Sequence, residues 1–258
     1  MSDNLYLYVL LLYKDKNKKF YMKNYVDLGL SVKWATCNIG ANSPEEYGDY
    51  FAWGETVSKD KYKWDNYKYC KGRWNLITKY YVDNKSANSK GDNKTILDLE
   101  DDSAYINWGN NWRMPTKEEQ DELRTECDWT WTNFKGVYGY KVVSKKNGNS
   151  IFLPAGGAYN CRKIYGQGTR GHYWSSNTFD FKFNNPLRNF NNLSCYLYFD
   201  SGDRSLTHRL DPDNCDINWE LLDKNNTYLK MNAIDWSAYQ RYSGKNIRPV
   251  YVESVNSI

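Results

Sequence analysis

Along most of this chain apolar and polar residues follow no clean period, so the segments that do show one stand out. The clearest runs from Trp108 to Cys127, WGNNWRMPTKEEQDELRTEC. Thr116 followed by Glu119 is a capping box, in which each side chain satisfies a free amide at a helix start, so a helix is predicted from Lys117. Lys117, Glu118, Gln120, Asp121, Glu122 and Arg124 form its polar face, while Leu123 and Cys127 make a narrow apolar stripe. So thin a stripe needs outside support, which Trp108, Trp112 and Met114 are placed to give.

Other elements are shorter. Residues 25–41 (YVDLGLSVKWATCNIGA) alternate in a strand pattern. Ser43, Pro44 and Glu46 predict a short helix ended by Gly48, and Asp98 caps a second predicted over Leu99 to Asn107, with Asp101 and Asp102 in its first turn. Tyr138 to Val143 and Ile151 to Leu153 flank the turn-like residues 145–149, a hairpin signature. The polar stretch 83–95 reads as a loop. From Tyr159 onward Gly, Asn, Tyr, Asp and Arg dominate; Tyr196 to Phe199 and Ile247 to Val252 are the clearest strand candidates there, and loops are expected to carry this half.

Leu5 to Tyr13 (LYLYVLLLY) is apolar over nine residues, well short of the roughly twenty a membrane helix requires. Asp3 precedes it and the lysines follow, the reverse of a signal peptide. A strand is predicted, within an N-terminal extension (1–24) that packs on the domain or serves an assembly contact.

Composition changes the picture in one respect. Aromatic residues make up 17% of the chain, with 24 Tyr and 11 Trp, in a polar background of mean hydropathy -0.86. Rings must therefore replace aliphatic side chains as core, and the same residues suit a binding surface. A net charge of +4, with both signs interspersed, does not suit a nucleic-acid binder. Six cysteines lie at least twenty residues apart, so no CxxC pair exists for a zinc ribbon or a thioredoxin-type site.

Candidate chemistry is sparse. Gly166, Gly168 and Gly171 satisfy G-x-G-x-x-G, but HYWSSN follows, without the strand-turn-helix context of a dinucleotide site. The only histidines are His172 and His208, and no G-x-S-x-G motif accompanies them. Asp101 and Asp102 are adjacent and diverge on a helix, so they cannot flank one glycosidic bond. Asp211, Asp213 and Asp216 form an acidic set without the glycine and terminal glutamate of an EF-hand loop. No catalytic residue, metal ligand or cofactor is expected.

Several long motifs, in order, resemble the Fibrobacter succinogenes major paralogous domain family: YVDLGLSVKWATCNIGA (25–41), SPEEYGDYFAWGE (43–55), EDDSAYINWGNNWRMPTKEE (100–119), NGNSIFLPAGG (147–157), YWSS (173–176) and RYSGKNIRPV (241–250). That family is similar to the formylglycine-generating-enzyme branch of the C-type lectin fold. The resemblance implies an α+β domain over 25–258, with short antiparallel sheets and two or three short helices. It also implies that residues 25–32 pair near Ile247 to Val252, and that loops from about 159 to 241 form one ligand face. The enzyme branch holds copper with a closely spaced cysteine pair, which is missing here, and the calcium-binding Glu-Pro-Asn and Gln-Pro-Asp motifs of C-type lectins are also missing. Residues 200–241 are longer than the family pattern.

The expected function is non-enzymatic recognition of a glycan or a cell-surface protein, by rings that stack and amides that hydrogen-bond. The candidate contacts are Phe179, Phe181, Asn184, Asn185, Arg188, Asn189, Asn191, Arg204, Arg209, Trp219, Tyr228, Trp236 and Tyr239. A diversity-generating retroelement target, a phage or surface receptor-binding protein, a structural part of a surface assembly and, least favoured, a sulfatase-modifying enzyme remain as alternatives. A surface, secreted or virion setting is implied by the resemblance, and an oligomer is compatible with it.

Overall fold

From Gln240 to Val250 every residue is buried, although this run carries Arg241, Lys245 and Arg248 and no acidic residue. Buried cations need acceptors, and here the two guanidiniums take backbone carbonyls. In the computed structural model, which describes residues 24–82, 91–179, 192–202 and 233–253, Arg248 donates to Asn38 Oδ1 at 2.9 Å, to the Ala35 and Thr36 carbonyls at 3.1 and 3.0 Å, and to the Phe152 carbonyl at 2.9 Å. Arg241 lies 4.7 Å from the centre of the Trp53 ring and donates to the carbonyls of Leu193 and Tyr80 at 3.2 and 3.1 Å. Asn246 donates to the Tyr47 and Asp49 carbonyls. This C-terminal run thereby fastens segments that are far apart in sequence.

Around it stand four antiparallel sheets and two helices, an α+β arrangement among the described residues. In the first sheet β12 (Val250–Tyr251) lies between β2 (Lys33–Ala35) and β3 (Trp112–Arg113), and β1 (Tyr25–Val26) flanks β2. Val250 is opposite Trp34 on one side and Arg113 on the other. The two ends of the described chain thus meet in one sheet, through β2 rather than through 25–32, because Gly29 at φ 67° turns the chain between β1 and β2. A second sheet holds β4 (Cys127–Phe134), β5 (Val137–Ser144) and β6 (Ser150–Pro154), so the predicted hairpin has an additional strand in front of it. β7 (Ala158–Asn160) pairs with β8 (Lys163–Tyr165). β9 (Arg170–Thr178), β10 (Leu193–Asp200) and β11 (Ile234–Gln240) form the remaining sheet, with β10 in the middle.

α1 spans Ser103–Trp108 and α2 spans Lys117–Glu126. The capping box of α2 is present in both directions, Thr116 Oγ1 accepting from Glu119 N at 3.2 Å and Glu119 Oε2 from Thr116 N at 2.8 Å. Its support differs from the expectation. Trp108, Trp112 and Met114 belong to a ring-rich core with Trp53, Tyr67 and Trp174, whereas Leu123 and Cys127 belong to a second core with Trp34, Val142, Leu197 and Phe199. Polar contacts add to that second core: buried Gln120 donates to the Tyr173 and Trp174 carbonyls at 3.0 and 3.1 Å, and Arg113 grips Glu119 with two nitrogens.

Three expectations need correction. Residues 43–48 form a single turn, with Glu46 N donating to the Ser43 carbonyl and the Glu46 carboxylate spent on Asn42 N, so no helix propagates. The Leu99 to Asn107 helix is a short 3-10 turn at Leu99–Asp101 followed by α1, because Asp102 is itself the cap, accepting from the amides of Ala104 and Tyr105. The late half is the largest departure: β9 and β11, of nine and seven residues, lie where loops were expected, and β10, of eight residues, contains the Tyr196 to Phe199 strand candidate and extends it at both ends. Tyr and Trp serve there as strand formers. The extension 1–23 and the stretch 83–90 lie outside the described residues.

Arg248→Met keeps side-chain length but strips the donors from four acceptors, three of them in buried hydrogen bonds. We expect it to cost about 3 kcal/mol or more in chemical denaturation, at 1–3 kcal/mol per stranded group. A loss below about 1 kcal/mol would show that these contacts do not hold the fold.

Candidate functional site

The β9–β10–β11 sheet has two faces, and strand alternation assigns every residue to one of them. Toward α2 point Tyr173, Asn177 and Phe179, Leu197 and Phe199, and Trp236; away from it point His172 and Trp174, Tyr196 and Tyr198, and Tyr239. Trp236 and Tyr239 are three positions apart on one strand, so the sheet sends them to opposite sides.

On the α2 side the structure brings two sequence-predicted residues together. The half-buried rings of Phe179 and Trp236 lie 6.3 Å apart, tilted by 40°, and the Lys117 ammonium sits 3.8 Å from the centre of the Trp236 ring. α2 places Lys117 there because its backbone amide donates to Asn177 Oδ1 at 2.7 Å, tying the helix start to the end of β9. Two rings and a cation form a partly exposed platform at the root of the segment that contains Phe181, Asn184, Asn185, Arg188, Asn189 and Asn191.

On the far side Tyr239 joins Trp174 and Tyr196 in enclosing Lys245. The Lys245 side chain is 1% exposed, and its ammonium lies 4.8, 4.4 and 4.5 Å from the centres of the Trp174, Tyr196 and Tyr239 rings. Among the described residues no carboxylate pairs with it. Burial pulls this amine down to about 7, while three ring faces attract its protonated form and oppose the pull. His172 stacks on Tyr196 at 5.4 Å, and burial, Lys245 and Arg170 hold its imidazole well below the ordinary value of 6.5. The neighbours of this imidazole are thus rings and cations, an arrangement that disfavours the imidazolium a general base must become. Lys245 escaped the sequence reading because a single lysine in a strand-like run carries no periodic signal.

The remaining candidates are divided by the same sheet. Residues 180–191 leave from the Phe179 end of β9 and return at the start of β10, whereas 203–232 leave after Asp200 and return at β11. An eight-residue strand spans roughly 25 Å, so these connections are rooted at opposite ends of the sheet rather than on one face. Arg204, Arg209, Trp219 and Tyr228, like the six residues of the first segment, lie outside the described residues, as do Asp211, Asp213, Asp216 and His208.

Other clusters are occupied by protein groups. Asp98, Glu100 and Asp101 gather their carboxylates within 4.8 Å, but the Lys79 ammonium sits among them at 2.8, 3.0 and 2.6 Å. Burial alone would raise Asp101; Lys79, Tyr69, Tyr80 and Lys68 outweigh it and hold the carboxyl at about 2. Its neighbour Asp102 turns the other way, accepting from the amides of Ala104, Tyr105 and Met114, and burial lifts it to about 6. Gly166 and Gly168 occupy the turn between β8 and β9, so strand follows strand where a dinucleotide site needs a helix. Cys37, Cys70, Cys127 and Cys195 are free thiols.

The Lys245 cage makes stability depend on pH in a specific direction. Between about 7 in the folded protein and 10.5 unfolded, the unfolded chain binds a proton that the native amine does not, so stability rises with pH, by at most about 1.4 kcal/mol per unit. Urea denaturation from pH 7 to 9 should show this rise in the parent and a flatter line in Lys245→Met. Parallel lines would refute it.

Comparison of the chain with protein-family models, with curated proteins and with solved structures returns no match.

Proposed function

We propose that this chain is a non-enzymatic recognition domain of C-type lectin type that binds a glycan or a cell-surface protein through the Phe179–Trp236 platform and the Asn- and Arg-rich segment it supports. The observation that carries the reading is the half-buried ring pair beneath Lys117, formed between the end of β9, β11 and the start of α2. A rigid aromatic surface loses little entropy on binding, and its ring faces stack on the apolar face of a sugar or on a partner side chain. Beside it stand Asn184, Asn185, Arg188, Asn189 and Asn191 in sequence, whose amides and guanidinium suit hydroxyls and backbone carbonyls. The motif resemblance from 25 to 250 points the same way, since the C-type lectin fold is one that presents irregular segments from a compact frame.

The test is binding of the purified chain to an immobilised panel of mannose-, galactose- and glucosamine-containing oligosaccharides and to biotinylated cell-surface protein extract. Trp236→Ala should weaken whichever interaction is found by about tenfold or more, the scale of a central aromatic contact, with Tyr239→Phe as a control on the opposite face. Equal binding by parent and Trp236→Ala would overturn this placement of the site.

A further inference from the structure

A cleft of about 330 Å³ opens between the β1–β2 edge and the outward face of the β4–β5–β6 sheet. None of its lining belongs to β9, β10 or β11, so it is separate from the ring platform. Val26, Thr36 and Pro44 line one side and Phe134 and Phe152 the other, while Ile151, which also borders the cleft, belongs to the core with Val142. Its depth has a sequence cause. At Gly139, on the middle strand, a Cβ would meet the Leu153 carbonyl and, at 2.8 Å, the tip of the Phe152 ring, so only glycine lets that ring lie across the strand. Phe152 then meets Phe134 at 5.3 Å with a 47° tilt, and Phe134 remains 38% exposed. One end is closed by an ion pair, Lys135 in the β4–β5 turn reaching Glu45 beside Pro44 at 2.9 Å.

The polar side chains lining this cleft are Lys141, the neutral hydroxyls of Thr36, Thr132 and Ser150 and the amide of Asn133, so its one formal charge is positive. Lys141 is exposed and, among the described residues, has no carboxylate partner; Thr132 and Ser150 add hydroxyls, and the lining contains no acidic side chain. Lys141 stands directly opposite Phe152 across the β5–β6 pair, so an ammonium and a phenyl ring face the same space. Cavities of this size hold small molecules of mixed character, apolar for most of their surface with a few polar anchors.

We infer that the cleft binds a small aromatic carboxylate, its ring against Phe134 and Phe152 and its carboxylate on Lys141. The ring buries apolar area on two tilted aromatic faces, which favour edge-to-face contact with a third. The carboxylate supplies the counter-charge that Lys141 lacks. The site is independent of the recognition platform and stands or falls without it.

Titration calorimetry with hydrocinnamate, against its neutral isostere hydrocinnamamide, tests the assignment. Saturable binding of the acid is expected, with the amide about fivefold weaker, as one exposed ion pair allows. Lys141→Met should bring the acid down to the amide without changing the amide, and thermal melting should show the variant folded, since Lys141 is exposed. Thr132→Trp should abolish both by filling the cleft. Absence of saturable binding, or equal binding of acid and amide by the parent, would overturn the inference; so would a dimer in light scattering that Thr132→Trp dissociates without any hydrocinnamate binding.

Discussion

Buried guanidiniums whose donors go to carbonyl groups rather than to carboxylates are the constraint on which this structure depends. Desolvating a guanidinium is tolerable only when its donors find acceptors, and Arg241 and Arg248 find them in carbonyls of Leu193, Tyr80, Ala35, Thr36 and Phe152. Each arginine therefore demands that several chain segments stand at fixed places around it. The C-terminal run is thereby more than one more strand: it is the piece against which the first sheet, the ring-rich core and β6 are set.

Aromatic packing fills what this spine organises. A core of Trp and Tyr carries polar edges that must be paired when buried, and the pairing crosses between layers. Trp53 Nε1 donates to the Ser175 carbonyl, Trp174 Nε1 to that of Phe51, and the Tyr67 hydroxyl to that of Trp53. Each ring both buries area and fixes an orientation. The result is a frame stiff enough to carry a late sheet with long connections at both ends.

That sheet also decides what its residues can do. Because alternate positions face opposite ways, Trp236 becomes part of a partly exposed platform under Lys117, while Tyr239 becomes one wall of the cage around Lys245. Two residues three positions apart, of similar chemistry, thus take unlike roles. The outward face of the β4–β5–β6 sheet gains its cleft in a comparable way, through the missing side chain at Gly139.

The α2 start was legible because a capping box is a local device: Thr116 and Glu119 satisfy amides three residues away whatever the rest of the chain does. The β5–β6 hairpin was legible for the same reason, its turn residues lying between two apolar runs. The mixed class came from the motif resemblance rather than from these elements. The regular sheet of the late half was legible only at Tyr196 to Phe199 within β10, since Asn-, Gly- and Tyr-rich stretches carry weak strand signals and β10 and β11 pair across a connection of more than thirty residues. The same holds for the platform and the cage, where Phe179 meets Trp236 and Lys245 meets Tyr196 across long sequence separations. Local hydrogen-bond and turn chemistry could be read from neighbouring residues; which rings face which cation depended on strand register and on burial of the C-terminal run, and those are set only when distant segments compete for the same space.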